Sequence, residues 1–285
     1  VNKVTFRKYI MNSHVQGPNR WLMLAVLFFA RVTMGFQFQA VASLSPLFAD
    51  TYGIGLADLG ILMGLYMSPG IILAIPGAAI ARFFGDKRIV IFGMLLMIFG
   101  SLIMTIGWNY QLQLVGRLFS GAGGVLLNVL MAKMVTDYFA GKEISLAMGI
   151  FANSWPVGIA SALVILPLIG ISAGFTWAML AVTIFIVFGL ILFSLFYEDV
   201  DGLREQQTQG FRINGTALIA LLLAGIIWAF YNAALAMIFS FAPIFLLEKG
   251  WSMVSASAAT SIVLWLAVIS IPIGGYLADK TGKKD

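Results

Sequence analysis

The chain has 285 residues, 61% of them hydrophobic and 10% charged, with a formal net charge of +5 and a mean hydropathy of +0.98. Soluble domains carry about 45–50% apolar and about 25% charged residues, so this composition excludes a water-soluble protein and predicts a surface that faces lipid. The chain has no cysteine, and its single histidine, His14, lies in a polar N-terminal segment. We therefore expect no disulfide, no metal site and no cofactor.

Eight apolar stretches follow one another along the chain, and each is long enough for a membrane-spanning helix, which needs about 20 residues. Short polar or glycine-containing turns separate most of these stretches. The predicted helices cover residues 21–48, 59–81, 89–108, 112–136, 144–169, 176–196, 217–239 and 253–278.

The connection after the sixth predicted helix is longer and charged, which is typical of a linker between two bundles. We therefore predict a cytoplasmic N-terminal tail (1–20), a six-helix bundle (21–197), a cytoplasmic linker (198–215) and the first two helices of a second bundle (216–285).

Basic residues are distributed unequally between the two predicted sides of the membrane. With the N-terminus in the cytoplasm, 14 of the 17 Lys and Arg residues fall on the cytoplasmic side, Lys249 lies in an outer loop, and Arg31 and Arg117 lie inside helices. This distribution follows the positive-inside rule and predicts a multi-pass protein of the cytoplasmic (inner) membrane. The positive charge therefore reflects topology, and no nucleic-acid partner is expected. The cytoplasmic basic residues are Lys3, Arg7, Lys8, Arg20, Arg82, Lys87, Arg88, Lys133, Lys142, Arg204, Arg212, Lys280, Lys283 and Lys284.

Two related basic loops follow the second and the eighth predicted helices. A loop that recurs six helices later implies two six-helix halves, as in transporters built from parallel repeats. The carboxylate of Asp279 could cap a neighbouring helix and pair with Lys or Arg, so we expect the loops to act as a gating latch; the alternative is that their basic residues only set the topology. The first loop contains Gly77, Arg82, Gly85, Asp86, Lys87 and Arg88, and the second contains Gly275, Asp279, Lys280, Gly282, Lys283 and Lys284.

The second loop matches the pattern G-x-x-x-D-[RK]-x-G-[RK]-[RK] of the major facilitator superfamily, and the residues from Arg117 to Gly124 resemble the family's R-x-x-x-G-x-G motif. The first loop departs from the pattern because Asp86 follows the glycine. Residues 137–143 and 153–156 resemble the cyanate-permease-like and nitrate/nitrite-porter-like branches. The resemblance implies an all-α membrane protein with the superfamily fold, monomeric, with eight transmembrane helices present of an expected twelve.

Arg31 is the most informative residue of the sequence. It lies ten residues into a helix that starts at Trp21, about 15 Å deep at 1.5 Å per residue, close to the middle of a hydrocarbon core ~30 Å thick. A charge at this depth costs at least about 2.5–3.5 kcal/mol and usually faces a cavity. No acidic residue falls in the middle of a predicted helix. This favours an anionic substrate as the partner of Arg31; the alternative is a structural arginine bonded to a helix carbonyl.

Further polar and aromatic side chains are candidates for the same substrate site. The resemblance implies that the first, fourth and seventh helices line a central cavity, so Arg117 is expected to reach it together with Arg31. Two guanidinium groups can hold a carboxylate by paired hydrogen bonds. The alternative for Arg117 is a brace within the bundle or a role in proton transfer, and for the others it is packing or interhelical bonding. These others are Gln39, Asn128, Asn153, Trp155, Tyr231 and Asn232.

The sequence thus predicts a secondary active transporter that moves a small organic or inorganic anion across the cytoplasmic membrane by alternating access. Its expected partners are the substrate, the lipid bilayer and a coupling proton or counter-anion. One alternative is a drug or metabolite exporter of the same fold, which would require a midmembrane acid. Another is a receptor or scaffold that does not transport. An enzyme is not expected, because clustered His, Asp or Glu residues are absent from the sequence.

Overall fold

The computed structural model describes residues 19–140, 143–199 and 215–281, and these residues form ten α-helices. Eight helical spans within this described part are long and apolar enough to cross a membrane, which confirms the predicted all-α membrane fold. The helices are α1 (Arg20–Ser43), α2 (Ser45–Tyr52), α3 (Leu56–Leu65), α4 (Gly70–Phe84), α5 (Asp86–Ile106), α6 (Tyr110–Phe139), α7 (Ile144–Ala173), α8 (Phe175–Phe196), α9 (Gly215–Glu248) and α10 (Met253–Thr281).

The first span is shorter than predicted. Helix α1 ends at Ser43, and the short helix α2 begins after Leu44, with Pro46 in its first turn. Proline lacks a backbone N–H and its ring crowds the preceding turn, so a continuous helix over 21–48 is disfavoured. The side chain of Asn19 caps the other end of α1 by accepting a hydrogen bond from the backbone N–H of Trp21 at 3.0 Å.

The second span is broken, whereas a single helix over 59–81 was predicted. Helices α3 and α4 are joined by the segment from Tyr66 to Pro69, in which backbone bonds run three residues back, from Met67 to Gly64 and from Gly70 to Met67. Pro69 cannot donate to this ladder. The break places the side chain of Tyr66 in the interior of the bundle, where it is 2% exposed.

The seventh span is longer than predicted, because α9 continues from Phe239 to Glu248 through Pro243. A proline inside a membrane helix is tolerated when neighbouring groups satisfy the freed carbonyl. Helix α10 likewise extends to Thr281, so Asp279 belongs to its last turn. The predicted tail (1–20) and linker (198–215) lie mostly outside the described residues, and the division into two bundles stays a prediction.

Helix α7 packs extensively on both α1 and α10. Small residues allow this approach: a Cβ on Gly35 would lie 2.8 Å from the carbonyl oxygen of Trp155 and 3.3 Å from the Cα of Gly158. A Cβ on Gly158 would in turn overlap the carbonyl oxygen of Val32. Close backbone approach through glycine is a common basis of helix association in membranes.

We expect Gly158→Ala to destabilise the bundle by about 1–3 kcal/mol, because the added methyl group must push α1 away from α7. Thermal unfolding in detergent would show a lowered melting temperature. The matched control is Gly225→Ala on α9, where no atom lies within 4 Å of the new methyl group. That change should be neutral or stabilise by up to about 1 kcal/mol. Equal melting temperatures for the two variants would contradict the close crossing at Gly158.

Candidate functional site

A cavity of about 470 Å³ lies where α1, α6, α7 and α9 approach the break between α3 and α4. Arg31 is the charged residue among the described residues that line it, and Asn128 and Asn232 are its amide-bearing residues. The remaining walls are aromatic, aliphatic or glycine. The aromatic lining residues are Phe38, Tyr66, Trp155, Trp228 and Phe239.

Arg31 lies at the cavity with two of its three nitrogens already bonded. Its Nη1 donates to the carbonyl oxygen of Phe151 at 3.1 Å, and its Nη2 donates to Oδ1 of Asn128 at 2.8 Å. The guanidinium also lies over the ring of Phe151, 4.6 Å from its centroid. Its Nε is buried and has no hydrogen-bond partner among the described residues. A buried charged donor without an acceptor is costly, so the protein groups around Arg31 satisfy its guanidinium only in part.

Asn128 is the exchangeable partner of Arg31. Its side chain lines the cavity and is exposed, whereas the Phe151 carbonyl belongs to the backbone of α7. Because Oδ1 of Asn128 accepts from Arg31, its amide group keeps two N–H donors. The two side chains together offer several N–H donors and one positive charge to an incoming acceptor. Such a pair favours an oxyanion over a cation.

A cluster of aromatic rings lines the cavity around Phe38, which lies about 10 Å beyond Arg31 along α1 at 1.5 Å per residue. Phe38 is its centre, with ring centroids 5.4 Å from Tyr66, 5.1 Å from Trp155 and 6.0 Å from Phe239. The cluster joins four spans. Apart from Trp155, sequence analysis missed these rings because a Phe or Tyr in an apolar helix carries no signal that separates a cavity wall from a lipid-facing surface.

Arg117 does not line the cavity in this structure, and its role in substrate binding stays a prediction. Its side chain is 0% exposed, and its Nε, Nη1 and Nη2 donate to the carbonyl oxygens of Leu62, Gln37 and Phe38 at 3.0, 3.1 and 2.9 Å. The guanidinium lies 4.9 Å from the ring centroid of Tyr66. These contacts join α6 to α3 and α1, which agrees with the alternative that Arg117 is a structural brace within the bundle.

The Leu62 carbonyl is one of the backbone groups that Arg117 satisfies. Leu62 lies in the last turn of α3, where carbonyls lose their helical partners, and the backbone N–H of Tyr66 bonds to Gly64 instead. The Nε of Arg117 supplies the missing donor. The break in the second span therefore frees a carbonyl, and Arg117 donates a hydrogen bond to it.

Gln39 and Asn153 face neighbouring helices and are absent from the cavity lining. The Nε2 of Gln39 donates to the carbonyl oxygen of Phe239 on α9 at 2.7 Å, and the Nδ2 of Asn153 donates to that of Val268 on α10 at 2.6 Å. Both are almost fully buried. They connect α1 and α7 to the last two spans, which is the interhelical alternative for these residues.

The remaining candidates divide in the same way. Asn128, Trp155 and Asn232 line the cavity, and the Nδ2 of Asn232 donates to the carbonyl oxygen of Trp228 in its own helix at 2.8 Å. Tyr231 is 56% exposed and does not line the cavity, although its ring lies 6.0 Å from that of Trp228. A substrate role for Tyr231 finds no geometric support.

The first basic loop forms contacts within the first six spans. Gly85 links α4 to α5 with a φ of +89°, a backbone conformation that favours glycine. Asp86, the first residue of α5, pairs with Nζ of Lys133 on α6 at 2.5 Å, and Lys133 also lies 3.4 Å from the carboxylate of Asp137. Asp86 thus forms an ion pair between α5 and α6, although it follows the glycine of the loop and does not precede it. Gly77 is buried against Leu126, and Arg82 and Arg88 are exposed.

Lys87 ties the same loop to the end of the sixth span. Its Nζ donates to the carbonyl oxygen of Tyr197 at 2.5 Å. Burial raises the pKa of the Tyr197 hydroxyl, and the neighbouring Tyr138 and the carboxylates of Asp199, Asp86 and Asp137 raise it further. The contact with Lys87 uses the backbone carbonyl of Tyr197, so it does not depend on the protonation state of the hydroxyl.

The second basic loop is described only in part. Lys280 lies in the last turn of α10 with its Nζ 5.7 Å from the ring centroid of Tyr276. Gly275 and Asp279 belong to the same helix, and the contacts of the Asp279 side chain lie outside what is described. Gly282, Lys283 and Lys284 also lie outside the described residues. The latch stays a prediction.

Eight membrane spans in the described part of the chain, with a cavity between several of them, define a polytopic α-helical membrane protein. The Major Facilitator Superfamily model matches residues 27–285, and the chain belongs to this family. The zebrafish (Danio rerio) lysosomal dipeptide transporter MFSD1 is 27% identical over 299 residues, an alignment covering 93% of this chain and 64% of that protein. The hexuronate transporter of Bacillus subtilis (strain 168) is 22% identical, over 92% of this chain and 65% of that protein.

A solved structure shows the same fold. The crystal structure of an auto-inhibited POT family peptide transporter superposes with a TM-score of 0.54 at 18% sequence identity, covering 89% of this chain and 52% of that one. The chain thus spans 64–65% of the length of the two relatives and about half of this structure. The predicted cyanate-permease-like or nitrate/nitrite-porter-like branch stays a prediction.

Proposed function

We propose that this chain carries the substrate-binding part of a secondary transporter that moves a small anion by alternating access. The observation that carries the proposal is Arg31, the charged residue among the described residues that line the central cavity. Asn128 adds donors beside it, and no carboxylate lies among the described lining residues. An oxyanion would satisfy these donors and offset the cost of a charge in the middle of a membrane.

The lining distinguishes this proposal from an exporter of cationic or amphipathic compounds. A cation in this cavity would meet Arg31 and no acid among the described residues, so it would be repelled in a medium of low dielectric constant. The name of one relative agrees with an anionic substrate, since a hexuronate carries a carboxylate. A dipeptide carries a carboxylate and also an ammonium group, so that name supports a carboxylate ligand only.

The gating and orientation proposals rest on the sequence and on local contacts. The end at which α1 begins is the proposed cytoplasmic side of an inner membrane, because most Lys and Arg residues belong to that side. The first loop would act through the Asp86–Lys133 pair and the second through Lys280 and its neighbours. A coupling proton or counter-anion and a monomeric state complete the proposal.

The first test compares acids with their neutral amides. The chain in lipid nanodiscs would be titrated by calorimetry with benzoate and benzamide, and with acetate and acetamide. We expect the anion of each pair to bind at least about tenfold more tightly, because a hydrogen bond to a charged group contributes about 1.5–3 kcal/mol. An amide that binds as tightly as its acid would overturn the anion proposal.

Exchange of radiolabelled benzenesulfonate by proteoliposomes separates transport from binding. This permanently charged probe does not cross lipid as a neutral acid. We expect counterflow above the level of empty vesicles. Binding without exchange would instead favour the receptor or scaffold alternative.

A further inference from the structure

The shape and chemistry of the cavity restrict the anion further than its charge does. Resting on the anion proposal, the geometry points to a monocarboxylate with an apolar, ring-sized body as the ligand, in preference to an inorganic oxyanion or a dianion.

The number of charges follows from the lining. Arg31 is the cationic group among the described lining residues. A second negative charge would therefore be buried without a cation, which is strongly unfavourable in an apolar site. A monoanion, by contrast, leaves the complex neutral.

The size of the cavity excludes a good fit for a three- or four-atom ion. A water molecule occupies about 30 Å³, and a nitrate or cyanate ion is on the order of one or two waters. The cavity has a volume of about 470 Å³, within the range of roughly 300–1,000 Å³ for pockets that hold small organic ligands. An inorganic ion held at Arg31 would leave most of this space to water against apolar walls.

The walls supply the apolar part of the recognition. The rings of Phe38, Trp155 and Phe239 lie on the side away from Arg31, and Trp228 and Val125 add further apolar surface. Aromatic side chains contribute large contact areas and prefer edge-to-face or offset contact with another ring. A ligand with its carboxylate at Arg31 and its ring toward Phe38 would use both ends of the cavity.

The test is a binding series on the chain in nanodiscs, measured by calorimetry. We expect benzoate to bind at least about tenfold more tightly than acetate or nitrate, and terephthalate, with a second carboxylate, to bind no more tightly than benzoate. Trp228→Ala should weaken benzoate at least threefold and change acetate less than twofold. The matched control, Trp177→Ala, removes a tryptophan of similar exposure on α8 that does not line the cavity, and should change neither.

The outcomes separate this inference from the proposal beneath it. If nitrate or acetate binds as tightly as benzoate, or terephthalate binds better, the ligand class is wrong while the anion site stands. If Trp228→Ala weakens benzoate and acetate equally, the apolar wall has no selective role and the inference is overturned. If benzamide binds as tightly as benzoate, the anion proposal fails and this inference fails with it.

Discussion

Replacement of Arg117 by leucine is expected to lower the stability of the folded bundle by about 3 kcal/mol. The guanidinium donates to three backbone carbonyls on two other spans, and its side chain is fully buried. Leucine removes every one of these donors and leaves the Leu62 carbonyl without a partner. A buried unsatisfied polar group costs about 1–3 kcal/mol, and a vacated volume beside Tyr66 adds to this.

The melting temperature and the monodisperse fraction after size-exclusion chromatography would measure the effect. Arg117→Lys should be only a partial rescue, because an ammonium group keeps the charge but lacks the planar fork that reaches two helices. Arg88→Leu is the control, since Arg88 is exposed and its loss should change stability by less than about 0.5 kcal/mol. An Arg117→Leu protein of unchanged stability that no longer binds benzoate would restore the substrate role that the sequence suggested.

Replacement of Arg31 by glutamine should weaken ligand binding and leave the stability of the bundle almost unchanged. We expect benzoate to bind about 10- to 100-fold more weakly, because charge-assisted hydrogen bonds of about 1.5–3 kcal/mol are lost. Stability should stay within about 1 kcal/mol of the wild type or rise, since the change removes a midmembrane charge whose Nε is unsatisfied. Calorimetry and thermal unfolding on the same preparation would measure both quantities.

Two further variants sharpen the Arg31 experiment. Arg31→Lys keeps the positive charge but lacks the planar guanidinium, so its affinity for benzoate should lie between those of the wild type and Arg31→Gln. Arg20→Gln removes an arginine from the same helix that is partly exposed and pairs with Glu143 at 2.5 Å, so benzoate affinity should change less than twofold. Unchanged benzoate affinity in Arg31→Gln, or an equal loss in Arg20→Gln, would rule out Arg31 as the anion-binding residue.

The comparison of these two arginines shows where sequence reasoning reaches its limit. Each is a cation inside an apolar helix, and each was expected to reach the cavity. The depth of Arg31 follows from the rise per residue of α1, and the structure does place Arg31 at the cavity wall. The environment of Arg117 depends on the break near Pro69, which frees a carbonyl on a different span. Nothing in the sequence around Arg117 carries that information.

Gln39 and Asn153 illustrate the same limit. Each was predicted to belong to the substrate site because it is polar and lies in a helix expected to line a cavity. In the structure, Gln39 donates to a carbonyl of α9 and Asn153 to a carbonyl of α10. In water, the polar face of a helix can be read from the period of its apolar residues. In a membrane, lipid and protein interior are both apolar, so that period hardly distinguishes the face toward a cavity from the face toward a neighbour.

The sequence by itself determined the helical membrane fold, the number of spans in the described part and the family, because a hydrocarbon core accepts only long apolar segments with internally satisfied backbones. The tertiary structure alone decided which polar groups meet. It placed Arg31 and Asn128 at the cavity, Arg117 against carbonyls of α1 and α3, and Phe38 at the centre of the aromatic cluster. These assignments depend on the rotation of each helix about its axis and on proline breaks, and both are set by contacts between distant spans.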